Sequence, residues 1–212
     1  MDRIELISAP AICVDGTSFA LNGKTVSYRF HVDEKNGELI SDHFGGLVTE
    51  DPPSPHLIPR DSFATGGYQT REFPDMGRGD FRVPAVIIKH EEGSTVTAFK
   101  YQSHTVLNGK PVSDELPGTF GDEDKVSTLV IHMLDPYTSI AADISYSVFP
   151  EHDAIVRKVE ITNKSQKNIT VEKLASFSVD LPCGEYDMIG LRGEWSRERN
   201  QFRRRVDYGT QG

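Results

Sequence analysis

Thirty-two aspartate and glutamate side chains make paired-carboxylate chemistry the first candidate. Cleavage of a glycosidic bond needs two carboxyl groups across it, about 5 to 5.5 Å apart when configuration is retained and wider when it is inverted. With carboxylates all along the chain, spacing alone selects no pair. The densest run, Asp122-Glu123-Asp124, reads as a solvated turn, because charge runs stay in water. The histidines (His31, His43, His56, His90, His104, His132 and His152) stand singly, without an i, i+4 pair or a cysteine partner, so no metal site is expected. There is no GxSxG elbow, phosphate-binding loop or dinucleotide fingerprint, and no cofactor is expected. Arg78-Gly79-Asp80 spells a cell-adhesion tripeptide, but three residues recur by chance too readily to carry that reading.

The elements that would position any site are strands. Residues 25–32 (TVSYRFHV) put Val26, Tyr28, Phe30 and Val32 on one face of an extended chain, the mark of a half-buried strand. The same alternation returns with Leu129, Ile131 and Met133, with Ile144, Tyr146 and Val148, and over residues 155–161, where Arg157 breaks the pattern. Turn signals separate these runs at Asn22-Gly23, Asn36-Gly37, Glu92-Gly93, Asn108-Gly109 and residues 163–168, since Gly and Asn admit the left-handed backbone that tight reversals need. No dozen residues carry a 3.6-residue apolar stripe, so helix should be minor. Many strands at short spacing predict an all-β fold, a large antiparallel β-sandwich. Two stretches interrupt it. Residues 49–67 hold Pro52, Pro53, Pro55 and Pro59 and are excluded from an inner strand by the missing donors. Residues 71–85 (REFPDMGRGDFRVPA) read as an irregular loop leading into a strand over 83–90.

A chain of 212 residues buries a sufficient core without staples. Cys13 and Cys183 read as buried thiols, with a single bridge as the alternative. A net charge of −9 excludes a sequence-independent grip on nucleic acid or anionic membrane and is compatible with a neutral partner such as a sugar. The basic run Arg192, Arg197, Arg199, Arg203, Arg204 and Arg205 reads as a solvated or domain-docking segment. No stretch approaches the roughly 20 apolar residues of a membrane span, and the first residues lack a signal-peptide pattern; the expected location is extracellular if a leader was trimmed and cytoplasmic otherwise. Asn163-Lys164-Ser165 and Asn168-Ile169-Thr170 are acceptors for N-glycosylation in a secreted eukaryotic chain.

Residues 71–85 closely resemble the E-[FY]-P-x-x-G-x-x-DFR-x-PA signature of the family 36 α-galactosidases. Further stretches are similar to that family in the same order: 41–46 (SDHFGG), 116–120 (LPGTF), 175–180 (ASFSVD), 186–188 (YDM) and 191–198 (LRGEWSRE). The resemblance spans nearly the whole chain and is to the fungal-type members. It implies that residues 1–212 form an N-terminal β-supersandwich, related in fold to galactose mutarotase and incomplete at its C-terminus. A catalytic (β/α)8 barrel and a C-terminal β-domain would follow it.

The same resemblance implies retaining hydrolysis of terminal α-linked galactose, as in melibiose, raffinose-type oligosaccharides and galactomannans, by two barrel aspartates. Their K-W-D-type stretch is absent here, so no residue is assigned as catalytic and this chain alone is expected to be inactive. It further implies a homotetramer in which N-terminal loops wall a neighbour's active site, with Arg60 and Asp61 reaching the neighbour's sugar. Asp80 and Arg82 are expected to form an internal salt bridge or capping pair, and Trp195 to pack against the barrel. Two alternatives stand beside this reading: a freestanding carbohydrate-binding sandwich using Tyr68, Phe73 and Phe81, and a mutarotase-type epimerase, which would need a convergent histidine and carboxylate.

Overall fold

The computed structural model describes residues 11–49, 70–80, 82–112, 118–181 and 184–207, which divide into two compact units, Met1–Asp180 and Leu181–Gly212. In the first unit the chain runs β1 (Ile12–Asp15), β2 (Ser18–Asn22), β3 (Val26–Val32), β4 (Leu39–Gly46), β5 (Val86–His90), β6 (Lys100–Asn108), β7 (Ser127–Asp135) and β8 (Ile140–Phe149). A single 3-10 turn, Pro150–His152, then leads to β9 (Ala154–Asn163) and β10 (Ile169–Leu174). Two four-stranded antiparallel meanders, β1-β2-β3-β4 and β6-β7-β8-β9, account for most of it, and β5 pairs antiparallel with β10. The expected all-β fold is what the chain adopts, with that 3-10 turn the only helical element among the described residues.

Alternation explains which faces meet. Tyr28, Phe30 and Val32 of β3 join Leu129, Ile131 and Met133 of β7 and Ile144, Tyr146 and Val148 of β8 in one apolar core. Ring contacts run within and between the meanders: Phe19 stacks on Phe30 at 5.0 Å inside the first, and Phe30 lies 5.1 Å from Tyr146 of the second. Each such ring, removed from water, contributes about 1.5 to 3 kcal/mol. The turns fall where Gly and Asn mark them; Gly37 takes φ +72° between β3 and β4 and its carbonyl accepts from Tyr101 N at 2.8 Å.

Three expectations shift. The strand read over 83–90 begins at Val86, because Pro84 offers no ladder donor and Val83 stands 68% exposed. Arg157, the break in β9, does not leave the inward face: its side chain is 4% exposed. Cys13 is half-buried, short of the buried thiol expected, because β1 is an edge strand; its Sγ lies 3.9 Å from Asn22 Nδ2. Cys183 and nearly all of the proline-rich stretch lie outside the described residues.

The second unit is a hairpin of β11 (Asp187–Arg192) and β12 (Asn200–Arg205). Phe202 is flanked by the guanidinium groups of Arg192 and Arg204, 5.4 and 6.0 Å from its ring centre. Arg203 pairs with Asp187 and Arg205 with Glu185, so these two members of the basic run are neutralised locally.

Candidate functional site

The signature stretch enters the fold as a partial strand. Ser41 N donates to Thr70 O at 2.6 Å, Glu72 N to Leu39 O at 2.9 Å, and Arg71 bridges Ile40. The side chains of Arg71 and Glu72 part company here: Arg71 turns to Glu38 and Asp75, and Glu72 to Tyr28 and Tyr146. The loop is closed at its base by Ala85 N donating to Pro74 O at 2.8 Å. Gly77 lies against residue 97 so closely that a Cβ would sit 2.1 Å from the Thr97 carbonyl oxygen, which is why glycine stands there.

Arg71, 7% exposed, holds the loop. Its Nη2 donates to Glu38 Oε1 at 3.1 Å and to Asp75 Oδ1 at 2.8 Å, and its Nη1 lies 3.7 Å from Asp80 Oδ2. Arg78 Nε lies 2.7 Å from the same Glu38 oxygen, and Asp75 Oδ2 accepts Phe99 N at 2.8 Å. Arg82 grips Asp80 with two nitrogens, Nε to Oδ1 at 3.0 Å and Nη2 to Oδ2 at 2.7 Å, while its Nη1 reaches Asp180 at 2.6 Å. Hydrogen bonds from Arg82 hold the Asp80 carboxyl below the ordinary aspartate range. Two sequence motifs, 71–85 and 175–180, are thereby tied together through Arg82 and Asp180.

Glu72 occupies the core side, 0% exposed. Tyr146 donates its hydroxyl to Oε1 at 2.6 Å, Tyr28 donates to Oε2, and Arg157 Nε lies 3.3 Å from Oε1. Arg157 also donates to the Glu72 carbonyl at 3.2 Å and to Ser176 O, and its guanidinium lies 5.5 Å from the Tyr146 ring centre. Burial raises the Glu72 carboxyl above its ordinary value, against the opposing pull of Arg157 and the two phenols. The arginine that breaks the β9 pattern therefore sits inward to face this carboxylate.

This arrangement constrains the chemistry. Asp75 and Asp80 are occupied by arginines, and Glu72, whose raised pKa would suit a proton donor, is sealed from solvent. What the geometry builds is a scaffold, two linked ion-pair assemblies fixing the loop between the meanders. The family resemblance singled out Asp80 and Arg82 but neither Glu38 nor Asp75; Glu72 stood in the signature with no role assigned, and the break at Arg157 was the other trace of its pairing.

Other residues named from sequence fall elsewhere. Arg60 and Asp61, like Tyr68 and Phe81, lie outside the described residues. Phe73 is 4% exposed and packs 5.6 Å from Phe99, so it is unavailable to stack on a sugar. Trp195 sits between β11 and β12, 92% exposed. Asn163 is exposed and caps its own turn, donating from Nδ2 to Lys167 O at 2.8 Å and accepting Ser165 Oγ at 2.7 Å; Asn168 is also exposed.

Histidine–carboxylate pairs do form, across hairpins where linear spacing hides them. His132 Nδ1 lies 2.7 Å from Asp143 Oδ1, with Thr105 Oγ1 3.1 Å from Nε2. His31 Nδ1 lies 2.8 Å from Asp42 Oδ2, the extra residue of a bulge in β4, where bulges re-aim side chains. Donation from the His31 ring to the Asp42 carboxylate raises the His31 pKa above 6.5. A pKa raised by folding contributes stability fully present below the ordinary histidine value and lost as pH rises through the folded one. Asp42→Asn is expected to return the His31 midpoint toward 6.5 and flatten that slope, as followed by NMR titration of the ring protons and by denaturant melts.

The sequence model described as the glycosyl hydrolase family 36 N-terminal domain matches residues 37–212. The chain belongs to this family. As a family 36 N-terminal domain it is 58% identical over 207 residues to alpha-galactosidase 2 of Hypocrea jecorina, covering 97% of this chain and 28% of that protein. It is 56% identical to the probable alpha-galactosidase G of Aspergillus terreus, covering 96% and 28%. Among solved structures, the galactosidase domain of the alpha-galactosidase-sucrose kinase AgaSK superposes with a TM-score of 0.85 at 28% identity, over 94% of this chain and 30% of that one. The alpha-galactosidase of Lactobacillus brevis gives 0.81 at 32% identity, over 91% and 28%. A variant of the Geobacillus stearothermophilus alpha-galactosidase AgaA, solved with raffinose, gives 0.84 at 28% identity, over 90% and 28%. This family 36 domain thus spans a little over a quarter of the length of these relatives.

Proposed function

We propose that the chain serves as the N-terminal domain of a retaining α-galactosidase and contributes architecture, with hydrolysis carried by aspartates of a (β/α)8 barrel outside these residues. The observation that carries this is the 58% identity to an alpha-galactosidase over 97% of the chain, confined to 28% of that protein. The ion-paired state of the signature carboxylates supports it, because a loop whose charges satisfy one another is a scaffold and not an acid–base pair. Terminal α-galactosides, the raffinose class included, are the substrates of the whole enzyme.

In this reading the Trp195 hairpin docks on the barrel, since a two-stranded hairpin is marginal alone and a tryptophan 92% exposed suits a covered surface. The whole enzyme is a homotetramer, and Arg60 and Asp61 reach the sugar of a neighbouring subunit. The test is the longer coding sequence and its product: a K-W-D-type barrel stretch downstream, with hydrolysis of melibiose, is expected. Its absence overturns the proposal. In that enzyme Trp195→Ala should leave the first unit's own stability within about 0.5 kcal/mol yet loosen the hairpin, read as faster amide exchange over residues 187–205.

A further inference from the structure

The last residue of the 116–120 motif, Phe120, stands 79% exposed. Phe120 forms the lip of a cleft of about 280 Å³ whose floor is Phe149 and Val126 and whose polar rim carries Asp122, Lys125, Glu151 and His152. Gly121 lets the lip lie down on the floor: a Cβ there would sit 2.3 Å from Val126 and 3.0 Å from Phe149. The far wall is the 3-10 turn Pro150–His152. It is anchored by Asp153, whose carboxylate accepts Thr25 N and Thr25 Oγ1, each at 2.8 Å. The near wall is a turn in which Lys125 Nζ meets Asp122 Oδ2 at 2.7 Å.

Ring, carboxylates, ammonium and imidazole together match the surface of a pyranoside. The apolar C–H face of the sugar lies on an aromatic ring, and its vicinal hydroxyls are both donors and acceptors, so they need acceptors and donors side by side. The volume sits below the usual range for drug-sized ligands and suits a single sugar residue. Asp122 pairs with Lys125 at 2.7 Å and Glu151 lies 3.8 Å from Lys24, so each ammonium beside the rim already faces a carboxylate and an anionic sugar gains no unengaged cation there.

We propose that this cleft is a binding subsite for one neutral pyranoside residue. The proposal stands without the catalytic reading, because it requires binding and no turnover; hydrolysis by a longer enzyme could be present or absent in either case.

The test is ¹H–¹⁵N NMR titration of the protein with methyl α-galactopyranoside and methyl α-glucopyranoside, with galacturonate as the anionic control. Saturable shifts at Gly121, Lys125, Val126 and His152 are expected with a Kd on the order of 1 to 10 mM for at least one neutral glycoside, and none for galacturonate. Phe120→Ala should weaken binding about tenfold or more, and Glu151→Gln should weaken it with the ring intact. Both side chains are well exposed, so neither change should disturb the fold, and an unchanged spectrum elsewhere verifies this. The proposal is overturned if neither neutral glycoside shifts these amides, if the shifts cluster elsewhere, if galacturonate binds equally well, or if Phe120→Ala leaves the affinity unchanged. A change in sedimentation mass with Phe120→Ala would also overturn it, by assigning the ring to contact between copies of the chain.

Discussion

Replacing Arg157 with alanine should cost the fold about 3 to 5 kcal/mol, the usual penalty for leaving a buried charge without its partner. That is a large share of the roughly 5 to 15 kcal/mol that holds a typical protein together. The Glu72 side chain is 0% exposed and Arg157 supplies the positive charge within ion-pair distance; without it only two phenol hydroxyls remain to oppose desolvation. The consequence has a sign. With Arg157 gone, the Glu72 carboxyl rises further above its ordinary value of 4.5. A carboxyl whose folded pKa is raised contributes stability fully present below its unfolded value and lost as pH rises through the folded one. The variant's deficit should therefore be greatest near neutrality and shrink as pH falls toward 4.5, in urea melts run against the parent across that range. Glu72→Leu combined with Arg157→Met should recover most of the loss, because a buried pair replaced by apolar groups of similar volume is often neutral. A near-neutral Arg157→Ala would show that Glu72 is held protonated at all pH values.

Arg71→Ala should cost about 3 kcal/mol and release the signature loop in particular. Arg71, Glu38 and Asp75 have side chains 6%, 7% and 1% exposed. Glu38 would keep Arg78, but Asp75 would keep only neutral backbone donors. Amide exchange should accelerate first at Phe99 and Ala85, whose N–H groups close the loop on Asp75 and Pro74. Lysine at 71 should restore part of the loss, since an ammonium keeps the charge but not the forked geometry that serves two carboxylates. At the outer end of the same chain of ion pairs, Asp180→Ala should change stability by no more than about 1 kcal/mol, because that carboxylate is 40% exposed. This gradient from buried to exposed members separates a scaffold from a set of independent surface bridges.

The strands were legible wherever one face is apolar and the other polar: β3, β7 and β8 carry alternation that only extended backbone satisfies. The pairing of β10 with β5 was not, because it joins segments about eighty residues apart and leaves no local trace. Arg157 was visible as a defect in β9, yet its meaning required Glu72, which reaches it from a different part of the chain. The pairs His31–Asp42 and His132–Asp143 escaped notice for a related reason. Each is separated by eleven residues and meets only through a hairpin register, which linear spacing cannot display. Phe73 misled as a sugar platform because a phenylalanine in a Gly- and Pro-rich loop looks exposed until the loop is seen folded back on Phe99.

The proposed division of labour between this scaffold and a catalytic barrel outside it is tested most directly by release of nitrophenol from p-nitrophenyl α-galactoside. The purified 212-residue chain should give no rate above buffer, and a longer product that contains it together with the proposed barrel should give robust turnover that disappears when the proposed barrel aspartates are replaced. Turnover by the 212 residues alone, retained through repeated purification, would contradict the account.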